Sequence, residues 1–246
     1  MSNWNLWHGC QKISPGCQNC YVYSGDKRYD RSDSFIVRKT GDFDLPLKKD
    51  RYGRYKLQPD GEPVYTCMTS DFFVEDADCW RQEAWEMMRL RQDLHFVIFT
   101  KRIHRAEKCL PPDWGDGYDN VTLCSTCENQ RLADFRLPIF MELPAKHRQI
   151  ICAPLLEEIH LEKYLQSGKF RLVSAGGESG ANARLCRYDW VLSLRGQCEA
   201  YNVGFWFHQT GALFEKDGKT YHIPRKLQHQ QARKAGIDLH AEMTRI

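Results

Sequence analysis

From residue 63 onward the chain alternates short, unbroken apolar runs with longer stretches of helical composition, and nothing else in it constrains the fold as tightly. The runs are Val64 to Met68, Phe96 to Phe99, Val121 to Cys124, Gln149 to Ala153, Arg171 to Ala175 and Gly204 to Phe207, all rich in β-branched and aromatic residues. Between most of them lie predicted helices at Asp78 to Gln92, Asn129 to Leu143, Glu158 to Leu165 and Asp189 to Tyr201. Strands that alternate with helices imply a parallel sheet, and strands apolar throughout imply a sheet covered on both faces. The expected fold is therefore α/β, a single-domain full or partial (β/α) barrel over residues 1–246, a length that one large core accommodates. Residues 25–63 differ, being charged and carrying the turn signals TGD, RYGRY and QPDGEP. They are expected to form a surface insertion, a hairpin or a lid.

A polar set follows each apolar run. Thr69, Ser70 and Asp71 end the first; Thr100, Lys101 and Arg102 the second; Ser125, Thr126, Glu128 and Asn129 the third. Gly176, Gly177, Glu178, Ser179 and Gly180 end a later one, and His208 and Gln209 the last. In parallel α/β folds the C-terminal strand ends converge on one mouth, so these residues are expected to ring a single site. Lys101 and Arg102 offer cations to a carboxylate or phosphate. Glu128 and Asn129 suit a ribose or amino group, or simply begin the next helix. The GGESG run either lets backbone approach a ligand that Glu178 binds, or makes a tight turn. His208 is a candidate proton carrier, or a structural residue. Cys127 belongs to a CxxC with Cys124 that straddles a strand end, so the two side chains should face different environments; Cys127 is a candidate hydrogen-atom relay.

Upstream of this unit, Cys10, Cys17 and Cys20 lie within NLWHGCQKISPGCQNCYVY. Three such thiolates can hold a [4Fe-4S] cluster through three irons and leave the fourth open to a small molecule. Gly9, Pro15 and Gly16 supply turn geometry for a wrapping loop, and Trp4, Trp7, Tyr21 and Tyr23 are placed to screen it. The competing reading is a zinc site completed by His8.

Eleven cysteines in one chain fit a reducing compartment, where thiols serve as ligands or core filler, and Cys67, Cys124 and Cys152 fall within apolar runs. No stretch approaches the roughly 18 apolar residues of a membrane span. No basic-then-apolar leader is present, so a cytoplasmic protein is expected. A net charge of +3 does not announce nucleic acid. Two basic clusters nevertheless suit phosphate: Lys48, Lys49, Arg51, Arg54 and Lys56, and Arg225, Lys226, Arg233 and Lys234.

The stretches WNLWHGCQKISPGCQNCYVY, FTKR, SAGGESGANARL, LRGQC and FWFHQTGA resemble an uncharacterised family associated with phages and bacterial genomes that bears an N-terminal three-cysteine motif. That family is similar, more distantly, to radical S-adenosylmethionine enzymes. The resemblance implies a partial barrel in which Cys10, Cys17 and Cys20 hold a [4Fe-4S] cluster, with S-adenosylmethionine on the open iron. It further implies reductive cleavage of that cofactor and hydrogen abstraction from a substrate in the mouth. Ser70, Asp71, Thr100, Lys101, Arg102, Glu128, Asn129, Gly176, Gly177, Glu178 and Ser179 then become cofactor-binding candidates, with Asp71 pairing the ammonium. An electron donor is required as partner, and phage association suggests nucleic acid or a nucleotide as substrate. Six residues separate Cys10 from Cys17, where radical enzymes most often have three, and the first barrel strand is expected to be short, around Trp4 to Trp7. The alternative is a non-catalytic zinc or iron–sulfur protein that binds nucleic acid or protein.

Overall fold

Each apolar run becomes a strand because the sheet is buried on both sides and parallel pairing satisfies its backbone. The computed structural model describes residues 2–239. After β1 (Ser2–Trp4) come the two-residue β2 (Trp7–His8), α1 (Tyr21–Lys27) and β3 (Arg38–Lys39), which pairs antiparallel with β2. The alternating unit follows as β4 (Val64–Thr66), α2 (Asp78–Leu90), β5 (Phe96–Thr100), α3 (Ala106–Cys109), β6 (Val121–Thr126), α4 (Gln130–Glu142), β7 (His147–Cys152), α5 (Glu162–Leu165) and β8 (Leu172–Gly176). The chain continues through β9 (Cys186–Arg187), α6 (Tyr188–Ala200), β10 (Gly204–Gln209), the hairpin β11 (Leu213–Lys216) and β12 (Lys219–His222), and α7 (Arg225–Lys234). Seven strands, in the order β1-β4-β5-β6-β7-β8-β10 and all parallel, make a half-barrel flanked by helices.

Alternate residues of the strands serve two cores. Phe96, Ile98, Leu123, Ile150, Val173, Phe205 and Phe207 face the helices in the main core. There they share the core with Ala84, Trp85 and Met88, which with Arg81 recur at helical spacing on the buried face of α2. Val97, Cys124 and Ile151 form a smaller cluster with half-buried Tyr65, Phe99 and Ala153. Cys124 and Cys127 thus do face different surroundings, the second lying in the main core. Cys67 and Cys152 are core filler.

Two expectations need correction. The first strand is Ser2–Trp4 rather than Trp4 to Trp7, and the expected Glu158 to Leu165 helix shrinks to the single turn of α5. Trp4 and Trp7 are fully buried core residues, and Trp7 Nε1 donates to Asp71 O at 3.1 Å. Trp4 packs on Phe96 with ring centroids 5.5 Å apart, and Trp7 lies at the same distance from Phe72.

Residues 25–63 divide into two parts. The first part, through β3, borders the cysteine loop: Cys10 N–H donates to Ser34 O, and His8 Nε2 lies 2.9 Å from Asp26. The second straps the side of the barrel. Trp4 Nε1 donates to Phe43 O at 2.9 Å, and Val37, Phe43 and Leu57 join the main core. Arg91, 1% exposed just beyond α2, donates to Pro46 O, to Leu57 O at 2.8 Å, and through two nitrogens to Asp93. The contacts of this second part are those of a strap.

Only a guanidinium has the fork to satisfy these acceptors together. Arg91→Met, and equally Arg91→Lys, are expected to lower stability by about 2–4 kcal/mol and to open residues 42–57 to protease. Urea melts with mapping of the cleavage sites check this, and cleavage elsewhere would refute the strap.

Candidate functional site

Residues 9–20 form a loop that touches four strand ends in turn. Gly9 N–H donates to Thr69 O beyond β4, and Ser70 Oγ donates to Gly9 O. Beyond β5, Arg102 donates to Cys10 Sγ at 3.5 Å and to Gln11 O at 2.9 Å. Ser14 Oγ donates to Glu128 beyond β6, and Asn19 Nδ2 donates to Glu178 beyond β8 at 3.0 Å. Gly16 lies directly on Glu128, where a Cβ would collide with the carboxylate. That contact, rather than turn geometry alone, is what requires glycine.

Three carboxylate–guanidinium pairs hold the loop. Asp71, 5% exposed, lies 3.5 Å from Arg102 and accepts from Thr100 Oγ1, Lys101 N–H and Phe73 N–H at 2.7–2.9 Å. Its oxygens are committed to these donors, so pairing an ammonium would require displacing one. Glu128, fully buried, pairs with Arg136 of α4, which also donates to Thr126 O. Glu178 pairs with Arg184 at 2.6 Å and accepts the Arg184 amide as well. Burial alone would raise the Glu178 pKa, but the bonds from Arg184 and Asn19 outweigh it and hold the group below its ordinary value.

The three cysteines of the loop are half-buried. Burial first, then Cys10, Cys20 and Cys17, raise the pKa of the Tyr23 hydroxyl. Tyr23 itself donates to Cys10 O, and Ser14 Oγ lies 3.5 Å from Cys17 Sγ. Burial and then Asp71 push the Cys10 thiol up to about 12, against the pull of Arg102. Ligation would have to displace that proton. Among the described residues no three His, Cys, Asp or Glu side chains converge closely enough for a single metal ion. Three thiols on one loop, with no fourth cysteine beside them in sequence, match in number the donors of a cubane cluster held through three irons. His8, the fourth ligand of the zinc reading, lines a cavity of about 340 Å³ with Asp26, Arg31 and Arg38 and with none of the three cysteines.

The remaining predicted residues have mostly structural partners. Asn129 caps α4, accepting from Leu132 N–H at 2.9 Å. Thr100 Oγ1 also accepts the Arg102 amide, and Ser179 Oγ donates to Gln228 at 2.9 Å. Side chains on Gly176 or Gly177 would collide with His208 and the Thr210 carbonyl, so strand packing explains both glycines. His208 has its pKa lowered to about 4 by burial and by His229, which leaves it neutral near pH 7. Cys127 is fully buried in the main core, its thiol pushed up to about 12 by burial. Of the two cations in the set, Arg102 pairs with Asp71, whereas half-buried Lys101 has no carboxylate partner among the described residues. Sequence reasoning missed Ser14, Asn19, Arg136 and Arg184, whose partners in the loop and at the strand ends lie far apart in the chain or behind a helix; only Arg184, six residues past Glu178, carried a local signal.

The family model described as "Protein of unknown function (DUF5131)" matches residues 1–244. No curated protein and no solved structure matches the chain.

Because its folded pKa is depressed, Glu178 stabilises the fold above the unfolded carboxylate value of about 4.3, and that contribution is lost as pH falls through the folded value. Wild type is expected to melt above Glu178→Gln at neutral pH, with the gap narrowing below about pH 4. Thermal melts from acid to neutral pH check this; a pH-independent gap would contradict the ionised anchor.

Proposed function

The chain belongs to the DUF5131 family, and we propose that it is an iron–sulfur enzyme of the radical S-adenosylmethionine kind, with Cys10, Cys17 and Cys20 as cluster ligands. The observation that carries this reading is the loop itself: three half-buried thiols within residues 10–20, held over the strand ends of a half-barrel by three carboxylate–guanidinium pairs, two of them buried. A purely structural thiol loop has no need of such anchoring. When bound, a reduced cluster with S-adenosylmethionine supplies one-electron chemistry that ends in hydrogen abstraction.

The chain's own residues have separable tasks. Arg102 donates toward Cys10 Sγ, which favours the thiolate and tunes a centre bound there. Ser14 and Asn19 fix the two halves of the loop through Glu128 and Glu178. Tyr65 and Phe99, with ring centroids 5.6 Å apart beside Val97, Cys124 and Ile151, offer an apolar wall against water. Lys101 is the side chain free to meet an anionic group of a cofactor. Such an enzyme needs an external electron donor, and the phage association implied by the three-cysteine motif belongs to this proposal as well. Among the described residues no helix is long and apolar enough to cross a membrane.

Anaerobically reconstituted protein is expected to be brown, with a paramagnetic signal on reduction that changes when S-adenosylmethionine is added. Cys10→Ser, Cys17→Ser and Cys20→Ser should each lose most of the iron and sulfide, whereas Cys127→Ala retains them. A colourless protein holding zinc would make the chain a binding module instead.

A further inference from the structure

The positive charge of this protein is concentrated in one surface unit. The hairpin and helix of residues 213–234 carry six Lys or Arg against two Asp or Glu, a net +4 in a chain whose total is +3. None of those six cations pairs with a carboxylate among the described residues, and Glu215 is itself engaged by Arg187 at 3.4 Å. The other basic cluster is different. Lys48 pairs with Asp44 at 3.1 Å and Arg54 with Asp50 at 2.9 Å, while Lys49 and Arg51 lie over the Tyr55 and Tyr52 rings. Two of the five cations in that cluster thus have carboxylate partners, whereas none of the six in the C-terminal unit has one among the described residues.

The unit also sits beside the mouth. Ser179 at the end of β8 donates to Gln228, Thr210 N–H donates to Gln228 O, and His229 Nδ1 donates to His208 O at 2.7 Å. Arg225 is close enough to act electrostatically on Tyr21, the neighbour of Cys20. Arg225, His229 and Arg233 recur at i, i+4 and i+8 and share one exposed stripe with Lys226. The stripe covers about 12 Å of helix axis, the reach of three to four successive phosphates in a stacked strand.

We propose that α7 and the β11–β12 hairpin form a binding track for a nucleic-acid strand, engaged through its phosphates and led toward the cysteine loop. The exposed positions of α7 are Arg, Lys, His and Gln, with no large apolar side chain to enter a bilayer. On α7, hydrogen-bonding cations without an apolar wedge match a phosphate backbone and not a lipid surface, and the one large apolar side chain exposed on the hairpin, Tyr221, offers a ring on which a base can stack. The track stands independently of the cluster; only the step from docked strand to substrate rests on the iron–sulfur reading.

Fluorescence anisotropy of the full-length protein with a labelled single-stranded oligonucleotide, across a salt series, tests the track. Two fourfold variants are compared with wild type: Arg225→Gln, Lys226→Gln, Arg233→Gln, Lys234→Gln, and, matched for charge, Lys49→Gln, Arg51→Gln, Arg54→Gln, Lys56→Gln. Wild type should bind with affinity that falls as salt rises, by about 0.7 in log–log slope per phosphate contact. The α7 variant should bind roughly tenfold or more weakly with a shallower slope, and the charge-matched variant much less so. Absence of binding at low salt, equal losses in both variants, or preference for anionic phosphatidylserine vesicles over the oligonucleotide would each overturn the proposal. Binding is read without reference to cluster content, so it can fail while the iron spectrum succeeds, and the reverse.

Discussion

The rest of the site depends on three carboxylate–guanidinium pairs, Asp71 with Arg102, Glu128 with Arg136 and Glu178 with Arg184, set at the ends of three strands. A loop of some dozen residues with one 3-10 turn has almost no backbone hydrogen bonding of its own. Its shape is set from below by side chains that the half-barrel holds rigid. Each pair is buried or nearly so, and a buried charge whose partner is lost is strongly destabilising, on the order of 3–5 kcal/mol. The arrangement therefore fixes the loop more firmly than loop residues alone could. It also places formal charge close to the thiols without exposing it to solvent.

Much of the fold was legible because parallel strands announce themselves as uniform apolar runs. All six expected runs overlap real strands in the main sheet, and the alternation with helices is as expected. What was not legible is local weakness. The Glu158 to Leu165 segment has helical composition yet forms only one turn, since Ile159 and Leu161 are drawn into the core instead. The tryptophans of the N-terminal segment are close to the cysteines in sequence, but their burial in the main core, against Phe96 and Phe72, depends on partners far along the chain.

The strand-end residues gather where a parallel sheet brings them, and the structure adds protein partners that the sequence did not reveal. Asp71, Glu128 and Glu178 do converge on the cysteine loop, as the topology of a parallel sheet requires. They were expected to face a ligand there, and in the structure each also has protein partners in the loop or beside it. Composition cannot distinguish the two, because a carboxylate that anchors a loop and one that binds an ammonium need the same chemistry. The difference lies in Arg136 and Arg184, whose side chains reach the site only after the sheet has formed.

The separation in sequence between the loop and its anchors has a consequence for assembly. Ser14 meets a partner 114 residues later in the chain, and Asn19 one 159 residues later. Contacts of such range form late, because the intervening chain must be ordered before they can close. The loop therefore lacks its last anchor until the chain through Glu178 has been made, so a chain cut before β8 leaves Asn19 unheld however well its first strands pair.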